Sequence, residues 1–553
     1  MNRNAAPSAD DNQASRISIS DDACGSKFCF ELPFRRRPFR GTSVPAEMGS
    51  MKRSSQLAAW CVLVTLVFSL GSASAAELPN ILFILTDDQG WTTLGSFGNE
   101  FVETPHLDAL AASGMRFTNA YVTPQCTPTR ASFMTGQHTA RNQMWHVIGW
   151  YGTPWAPVTE PMFRVNLPRD QFNVAKGLQQ AGYVTGNMGK WHLNRNGDGD
   201  YVRLYPEAAG LYGFDHVSDP PNPRYPGQGE KGVDWLTDEA LEFIKENRDE
   251  RWFCYMTHHT IHGPVLAPEE LVQEYRDRGA PESGVHNATY LAAIKHLDNS
   301  IGRLMSGLDE MGLTDDTMVV FLTDNGGVYQ EYATEPFLTH GKVDQLEVRA
   351  EQFSNAPLRA GKGSQYEGGI RVPCIVSWPG VVEPGTVNDT PIHVYDWLPT
   401  LLDAAGTKAP EDYVVDGVSL VPLLKGESIE ERQLYWYLPL YDLRWGATPC
   451  SIVRDGDWKL IHYYGDRFED GKYIPGEHIE LFHLGEDLGE TTNLADAHPD
   501  VAKRLQQDLH DWLTSIPAEI PQKNPHYDPE RPLLETRRMP EWLEPLPGDE
   551  GSN

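Results

Sequence analysis

The chain has 553 residues and a formal net charge of −31, with 46 lysines and arginines against 77 aspartates and glutamates. A composition that is 40% hydrophobic and 10% aromatic excludes a wholly disordered chain. The acidic balance argues against a nucleic-acid or anionic-membrane partner, because both need a positive surface field. Seven cysteines are too few for a disulfide framework to define the fold.

The first 76 residues are predicted to be processing sequence. A basic start at Met51 is followed by an apolar run at 57–70 and by small residues up to Ala75, the pattern of a signal peptide at 51–76. The apolar run is shorter than the about 20 residues of a membrane-spanning helix, so we expect no stable membrane span, and an uncleaved anchor is the alternative. We therefore predict a periplasmic or secreted protein, with residues 1–50 as an upstream extension that a misassigned start would explain.

Strand and helix signals alternate from residue 77 to residue 430. This alternation predicts one α/β domain, a large mostly parallel sheet flanked by helices on both faces. The predicted strands are 80–85, 252–257, 317–323 and 372–378. The predicted helices are one that begins after Thr104 and ends at Gly114, and those at 171–181, 234–247 and 290–310.

The pattern changes near residue 430 to short β-rich pieces followed by one amphipathic helix at 501–514. We predict a smaller C-terminal subdomain at 431–515, built on a short antiparallel sheet and a helix. Residues 516–553 are rich in proline and are expected to form an extended or disordered tail.

Two polar pairs each follow a predicted strand. Asp87 and Asp88 follow the first strand, and Asp324 and Asn325 follow the strand at 317–323. Ligands of open α/β sheets bind beyond the carboxyl ends of the strands. Three carboxylates and one amide oxygen suit Ca²⁺ or Mg²⁺ better than Zn²⁺. A turn or helix cap is the alternative for either pair alone, but both pairs together favour a metal site.

The segment CTPTR at 126–130 predicts a short helix that opens at Cys126, because a proline near its start is followed by apolar residues. A helix N-terminus stabilises an anion, and Arg130 lies one turn further on the same face. The cysteine position is therefore suited to meet a negatively charged group. A buried structural thiol is the alternative.

Further candidate residues lie in two lysine-containing motifs and one histidine group. Lys190 and His192 would point to one face if their stretch is extended, and the glycines around Lys362 would let its ammonium approach a ligand closely. Each motif alone is weak, and His192 alone would fit a structural role. His262 belongs to a histidine group at 258–262 that has no acidic or cysteine partner nearby in sequence.

Together these motifs resemble the formylglycine-dependent, arylsulfatase-like sulfatases of the alkaline-phosphatase superfamily. The similarity runs from about Leu78 to about Ser515. It is carried, in the family's order, by CTPTR, GYVTGNMGKWHL, HHTIHGP, FLTDNGG and GKGSQYEGGIRVPCIVSWPG. DWLPTLLDAAG, DGVSLVPLLKG and the C-terminal RDGDWKLI are also similar.

The resemblance implies a divalent ion, Ca²⁺ with Mg²⁺ as the alternative, and oxidation of Cys126 to formylglycine (3-oxoalanine) by a formylglycine-generating enzyme. It implies that the ion is held by Asp87, Asp88, Asp324, Asn325 and the modified Cys126. The hydrated aldehyde would attack sulfur, expel the alcohol and then release sulfate.

The resemblance also assigns roles to the basic residues. Arg130 would favour the deprotonated hydrate, and Lys190 and Lys362 would hold the sulfate oxygens. His192 would orient or deprotonate the hydrate, and His262 would protonate the leaving oxygen.

The predicted function is that of a secreted sulfatase acting on a sulfate monoester, either a sulfated carbohydrate or a small sulfate ester. A phosphate or phosphonate ester hydrolase on the same scaffold is the alternative, and a non-catalytic binding protein is disfavoured because every motif is complete. The aromatic stretch 143–155, with Trp145 and His146 as candidates, could stack on a sugar or simply pack on the body. The acidic chain would repel a long polyanion, which favours removal of sulfate from a terminal sugar. The sequence does not indicate an oligomeric state.

Overall fold

The computed structural model describes residues 78–148, 152–196, 200, 202–219, 230–332, 348–351, 353–469, 472–531, 533 and 546. The predicted upstream extension and signal peptide lie outside the described residues, as do Trp150 and Tyr151 of the aromatic stretch. Within the described part of the chain, no helix is long and apolar enough to cross a membrane.

A nine-stranded sheet forms the centre of the fold. Its strands in chain order are β1 (Asn80–Thr86), β2 (Met115–Tyr121), β3 (Val184–Gly189), β4 (His216–Ser218), β5 (Trp252–Thr257), β6 (Thr317–Thr323), β7 (Arg371–Ser377), β8 (Thr386–Asn388) and β9 (Ile392–His393). The spatial order is β8-β2-β7-β6-β1-β5-β3-β4, with β9 also beside β2. All pairs are parallel except those of β7, which runs antiparallel to β2 and β6. The predicted mostly parallel sheet is confirmed.

Helices cover both faces of this sheet. They are α1 (Pro105–Ser113), α2 (Cys126–Thr135), α3 (Thr139–Asn142), α4 (Val174–Gln180), α5 (Pro206–Ala209), α6 (Val233–Glu246), α7 (Glu269–Asp277), α8 (Ala288–Glu310), α9 (Glu367–Ile370), α10 (Trp397–Ala404) and α11 (Val421–Leu424). Short 3₁₀ turns occupy Gly95–Phe97, Gly210–Tyr212, Thr314–Asp316, Val394–Asp396 and Leu443–Trp445.

Strand β1 is continuously apolar because helices cover it on both faces of the sheet. Phe83 packs in the cluster formed with α2, α4 and α10, whereas its neighbours Leu82 and Ile84 pack in the cluster formed with α1, α6 and α8. Successive side chains of a strand point to opposite faces, and here each face is covered by helices. The strand is therefore buried on both sides, as the sequence predicted.

A smaller antiparallel sheet follows, with strand order β10-β11-β12-β13. Its strands are β10 (Leu434–Leu438), β11 (Cys450–Asp455), β12 (Trp458–Tyr463) and β13 (His478–His483). Helix α12 (Pro499–Ser515) buries Leu505, Leu509 and Leu513 against this sheet. Two further strand pairs join Gln330–Tyr332 to Val348–Glu351 and Arg467–Glu469 to Lys472–Ile474. The predicted combination of a short antiparallel sheet and a helix is confirmed, whereas the domain boundaries stay predictions.

The described part of the proline-rich tail lies along residues 153–161. Val158 and Lys523 form an antiparallel bridge, and the side-chain Nδ2 of Asn524 donates to the carbonyls of Pro154 and Ala156 at 2.7 and 2.8 Å. The described tail is thus hydrogen-bonded to the body as far as Asp528, whose N–H donates to the Trp155 carbonyl at 3.3 Å.

Candidate active site

The register of the central strands brings distant polar residues to one edge of the sheet. Thr86 at the end of β1 pairs with Thr323 at the end of β6, so Asp87 and Asp324 follow side by side. The backbone N–H of Asp324 donates to the Thr86 carbonyl at 3.0 Å. On the other side of β1, β5 and β3 end level with each other, and the N–H of Lys190 donates to the Thr257 carbonyl at 3.0 Å.

Strands β2 and β7 bring two more segments to the same edge. Tyr121 at the end of β2 pairs with Arg371 at the start of β7, because β7 is antiparallel to its neighbours. The helix α2 that follows β2 therefore meets the glycine-rich loop that precedes β7. The N–H of Gly363 donates to the Pro124 carbonyl at 2.8 Å, which places Lys362 beside the start of α2.

Helix α2 begins at Cys126, as the sequence predicted. Thr129 fixes its entry, since its hydroxyl accepts from the Thr123 N–H at 3.0 Å. The hydroxyl of Thr127 donates to the His192 carbonyl at 3.1 Å. These bonds hold the cysteine against the segment that carries Lys190 and His192.

Three buried carboxylates each have a cationic partner. The ammonium of Lys190 lies 2.6 Å from Asp87, and that of Lys362 lies 2.8 Å from Asp88. Arg130 binds Asp324 through Nε and Nη2 at 3.1 and 2.8 Å. All six of these side chains are at most 7% exposed.

The oxygen atoms of this cluster fit a divalent cation. Asp87, Asp88 and Asp324 each offer a carboxylate oxygen, and these oxygens lie within 4.8 Å of one another. Asn325 donates to Asp88 at 2.8 Å through Nδ2. Its Oδ1 and the Oδ1 of Asp87 are buried without a hydrogen-bond partner, although buried oxygens are normally satisfied. Hard oxygen donors of this kind suit Ca²⁺ or Mg²⁺, so the four residues form a possible metal site.

The charges in the site act in opposite directions on its acids. Burial raises the pKa of Asp87, but the positive charges around it, above all that of Lys190, outweigh burial and hold the pKa well below its ordinary value. Burial and the negative charge of Asp87 raise the pKa of Asp324 to about 7. Three carboxylates this close repel one another, which a bound cation would relieve.

Cys126 is buried beside these groups. Its Sγ lies within 4.8 Å of a carboxylate oxygen of Asp87 and a ring nitrogen of His262. Burial raises the pKa of the thiol, against the opposing charges of Lys190 and Lys362. An unmodified cysteine here is therefore a neutral thiol and a poor nucleophile.

Arg130 is oriented differently from the sequence expectation. Its position one turn after Cys126 suggested that it faces the anion at the cysteine. Instead, its guanidinium is turned to Asp324, and its Nη1 donates to the Lys190 carbonyl at 2.7 Å. The residue thus ties α2 to both β6 and β3.

The histidines occupy different surroundings. The ring of His262 is partly exposed, and its Nε2 lies 3.9 Å from Asp88. Its partial burial and the charge of Lys362 lower its pKa. His259 Nε2 lies 2.7 Å from Asp219. The histidine group therefore has an acidic partner in the fold, although none is nearby in the sequence. His192 is buried, but the strand ends at Gly189 and His192 has a left-handed φ of 58°. The extended conformation that would align it with Lys190 is therefore absent.

Two residues near the site carry no motif and were missed in the sequence. Lys231, immediately before the glycine that precedes α6, donates to the carbonyl of His262. Asn355 accepts from Gly327 N–H at 3.2 Å and donates to the carbonyls of Gly327 and Ala360, both at 3.0 Å. No local pattern signals either residue, because their contacts come from distant parts of the chain.

The aromatic candidates lie in a packed layer. Trp145 is edge-on to Tyr437 at 5.3 Å, and His146 stacks on Phe163 at 5.0 Å. Both are almost fully buried. They also line a cavity of about 260 Å³ whose wall includes His526 of the tail. The packing accounts for both rings, and their predicted sugar-stacking role stays a prediction.

Comparison with known proteins gives matches over most of the chain. The family model described as Sulfatase matches residues 79–407, and the model described as N-sulphoglucosamine sulphohydrolase, C-terminal, matches residues 361–518. N-acetylgalactosamine-6-sulfatase of Canis lupus familiaris is 29% identical over 508 residues, 81% of this chain and 88% of that protein. Arylsulfatase A of Bos taurus is 30% identical over 491 residues, 80% of this chain and 88% of that protein.

The fold has the same architecture as solved structures. The crystal structure of Ps i-CgsB in complex with k-i-k-neocarrahexaose superimposes with a TM-score of 0.62 at 23% identity. The match covers 82% of this chain and 95% of that one.

Proposed function

Because the chain belongs to the sulfatase family and is a sulfuric ester hydrolase, we propose that it removes sulfate from a carbohydrate through an oxidised Cys126 and a divalent ion. The observation that carries this proposal is the convergence of Cys126, two lysines and an oxygen cluster at one edge of the sheet. Each of these groups comes from a different segment, so their meeting is a property of the whole fold.

The proposed metal ligands are Asp87, Asp88, Asp324 and Asn325, with Ca²⁺ as the ion and the modified Cys126 beside it. When bound, the ion would supply a positive charge that polarises sulfate oxygens and favours an ionised hydroxyl. Formylglycine at position 126 would supply a hydroxyl nucleophile that the buried neutral thiol cannot replace. Arg130 keeps the Asp324 carboxylate oriented through its two bonds to Oδ2.

Lys190 and Lys362 are proposed to bind the sulfate oxygens. Lys190 forms an ion pair with Asp87 at 2.6 Å, and Lys362 forms one with Asp88 at 2.8 Å. The positions of both ammonium groups are therefore fixed before the substrate arrives. Fixed donors stabilise the charge that builds up in the transition state without reorganising. Lys362 also lies 5.6 Å from the ring centre of Trp445, which limits its movement away from the site.

His262 is proposed to protonate the leaving oxygen. Its Nδ1 lies 2.7 Å from the Gly263 carbonyl, and because a carbonyl only accepts, Nδ1 carries the proton. Nε2, the nitrogen that faces the site, is therefore the atom that would carry the second proton of a charged ring and pass it to the departing alcohol. His192 is proposed to orient the nucleophile.

A carbohydrate substrate is supported by the relatives. One is named for sulfate on N-acetylgalactosamine, and a structure with the same fold holds an oligosaccharide. The strongly acidic chain favours a short oligosaccharide over a long polyanion, so we propose action on a terminal sugar. The signal-peptide pattern at 51–76 supports export to the periplasm or the medium, and the maturing partner would be a formylglycine-generating enzyme.

The test is release of inorganic sulfate from a panel of sulfated monosaccharides, oligosaccharides and intact polymers, with a small aryl sulfate included. We expect the highest kcat/KM on sulfated oligosaccharide ends and weaker turnover of the aryl sulfate. Matched phosphate and phosphonate esters are assayed in parallel. Faster hydrolysis of these esters than of every sulfate would overturn the sulfatase proposal, and faster desulfation inside polymers would overturn the terminal-sugar proposal.

A further inference from the structure

Lys231 is a buried cation that the proposed chemistry does not use. It lies two residues before helix α6 and is only 4% exposed. Within the described part of the chain, its ammonium makes one hydrogen bond, to the carbonyl oxygen of His262. An ammonium has three donors, so the single carbonyl leaves most of its hydrogen-bonding capacity unused.

The other cations of the site differ from Lys231 in one respect. Lys190, Lys362 and Arg130 each contact a carboxylate within 3 Å. Lys231 forms no ion pair with any described carboxylate. Burying a charge without a counter-ion is costly, and burial lowers the pKa of Lys231 to about 8, although the charge of Asp87 opposes the shift. An anion that binds next to this ammonium would stabilise its charged form.

The position of Lys231 indicates which part of a substrate it would meet. Its ammonium is held by the backbone of His262, the proposed proton donor to the leaving oxygen. The charges of Asp87, Asp88, Lys190 and Lys362 act on both residues, so both lie near the same charged cluster. If His262 protonates the leaving oxygen, the alcohol part of the ester would lie next to Lys231.

We propose that Lys231 binds a second anionic group of the substrate, a sulfate or carboxylate carried by the leaving sugar. This inference rests on the proposed function. The sulfate to be cleaved would be bound by Lys190 and Lys362, which form ion pairs with the metal-site carboxylates. Lys231 makes no ion pair with any described carboxylate, so its ammonium has unused donors for a neighbouring negative charge. The substrate is thus a saccharide with at least two negative charges, and Lys231 binds the one that is not cleaved.

The test compares substrates that differ only in the second charge. The probes are a galactosamine monosulfate, the matching disulfate, and a singly sulfated disaccharide of galactosamine and hexuronic acid. We expect Lys231→Met to lower the kcat/KM for a doubly charged probe relative to the monosulfate by about tenfold or more, the size of one charged hydrogen bond. The disulfate and the hexuronate probe distinguish a second sulfate from a carboxylate. Lys231→Arg should restore most of the ratio.

Lys245→Met is the matched control, because this exposed lysine of α6 lies outside the site. Its kcat/KM for the doubly charged probes, relative to that for the monosulfate, should equal the ratio of the unaltered chain. Lys231→Met removes a buried unpaired charge, so its melting temperature should not fall. An unchanged ratio for both doubly charged probes in folded Lys231→Met protein would overturn the inference.

Binding separates this inference from the proposed function. The Kd of each probe is measured by calorimetry in the Cys126→Ala background, with and without Lys231→Met. A loss of about tenfold confined to the doubly charged probes supports Lys231 even if the unaltered protein releases no sulfate, in which case the proposed function alone fails. Equal Kd changes for all three probes would contradict the second-anion role.

Discussion

Arg130 and Asp324 lie 194 positions apart in the chain and form a fully buried two-pronged ion pair, with Nε and Nη2 at 3.1 and 2.8 Å from Oδ2. The remaining Nη1 donates to the Lys190 carbonyl. One side chain therefore connects the helix that starts at Cys126 with the ends of two strands of the sheet.

Breaking this pair should destabilise the fold. Arg130→Met leaves Asp324 buried without its cation, and we expect the free energy of unfolding in urea to fall by about 3–5 kcal/mol. Arg141→Met is the control, because its pair with Asp416 is partly exposed and its loss should be smaller. An equal loss in both variants would contradict the structural role of the buried pair.

Cys126 should be the modified residue. In protein produced with a formylglycine-generating enzyme, peptide mass spectrometry should find the Cys126 peptide about 18 Da lighter than its thiol form. Peptides with Cys254, Cys374 and Cys450, which are buried and free, serve as internal controls and should keep the thiol mass. Cys126→Ala should stay folded and release no sulfate. Full activity with an unmodified Cys126 thiol would refute the proposed nucleophile.

The oxygen cluster should hold one divalent ion per chain. Chelation should lower sulfate release by orders of magnitude, and added Ca²⁺ should restore it, because the ion would polarise the sulfate oxygens and favour the ionised nucleophile. Asp88→Ala should lower the bound Ca²⁺ measured by elemental analysis, whereas the exposed Asp511→Ala should not. Undiminished turnover in protein stripped of metal would exclude the metal from the reaction.

The buried Lys459, Glu367 and Glu490 cluster predicts a pH dependence of stability. Lys459 lies 3.0 and 2.7 Å from the two carboxylates, and burial raises the pKa of Glu490 from 4.5 to about 7. Between these pH values the folded chain binds more protons than the unfolded chain. The free energy of unfolding should therefore fall as pH rises from 4.5 to 7, by up to about 3 kcal/mol at 1.4 kcal/mol per pKa unit.

Glu490→Gln removes this titration and keeps the shape of the side chain. Urea unfolding across the same pH range should lose that part of the slope in Glu490→Gln and keep it in the exposed control Glu310→Gln. A slope that Glu490→Gln leaves unaltered would assign the effect to other groups.

Asn355 should position Lys362. Its side chain holds Gly327 and Ala360, and the Gly327 carbonyl also accepts from the Lys362 N–H at 3.0 Å. Asn355→Ala should lower kcat/KM by about tenfold or more, because a small displacement of a charged donor weakens transition-state binding. Asn493→Ala, which alters an outer loop, should leave kcat/KM unchanged. The opposite order of effects would contradict the positioning role.

Local sequence determined the elements that carry the site. The apolar run before Asp87 predicted a strand buried on both faces, and CTPTR predicted a helix that begins at Cys126. Both predictions depend only on neighbouring residues. A strand buried on both faces is continuously apolar, and proline is tolerated in the first turn of a helix. The helix predicted at 171–181 is shorter because Asn173 caps it, accepting from the Lys176 N–H at 3.0 Å.

Only the tertiary structure decided how these elements meet. The level ends of β1 and β6 place Asp87 beside Asp324, and the antiparallel course of β7 brings Lys362 to Cys126. The turn of Arg130 toward Asp324 and the burial of Lys231 against His262 depend on pairings between residues far apart in the chain. Periodicity and motif spacing describe neighbours along the backbone, whereas burial, charge pairing and pKa shifts depend on neighbours in space, which exist only once the sheet has assembled.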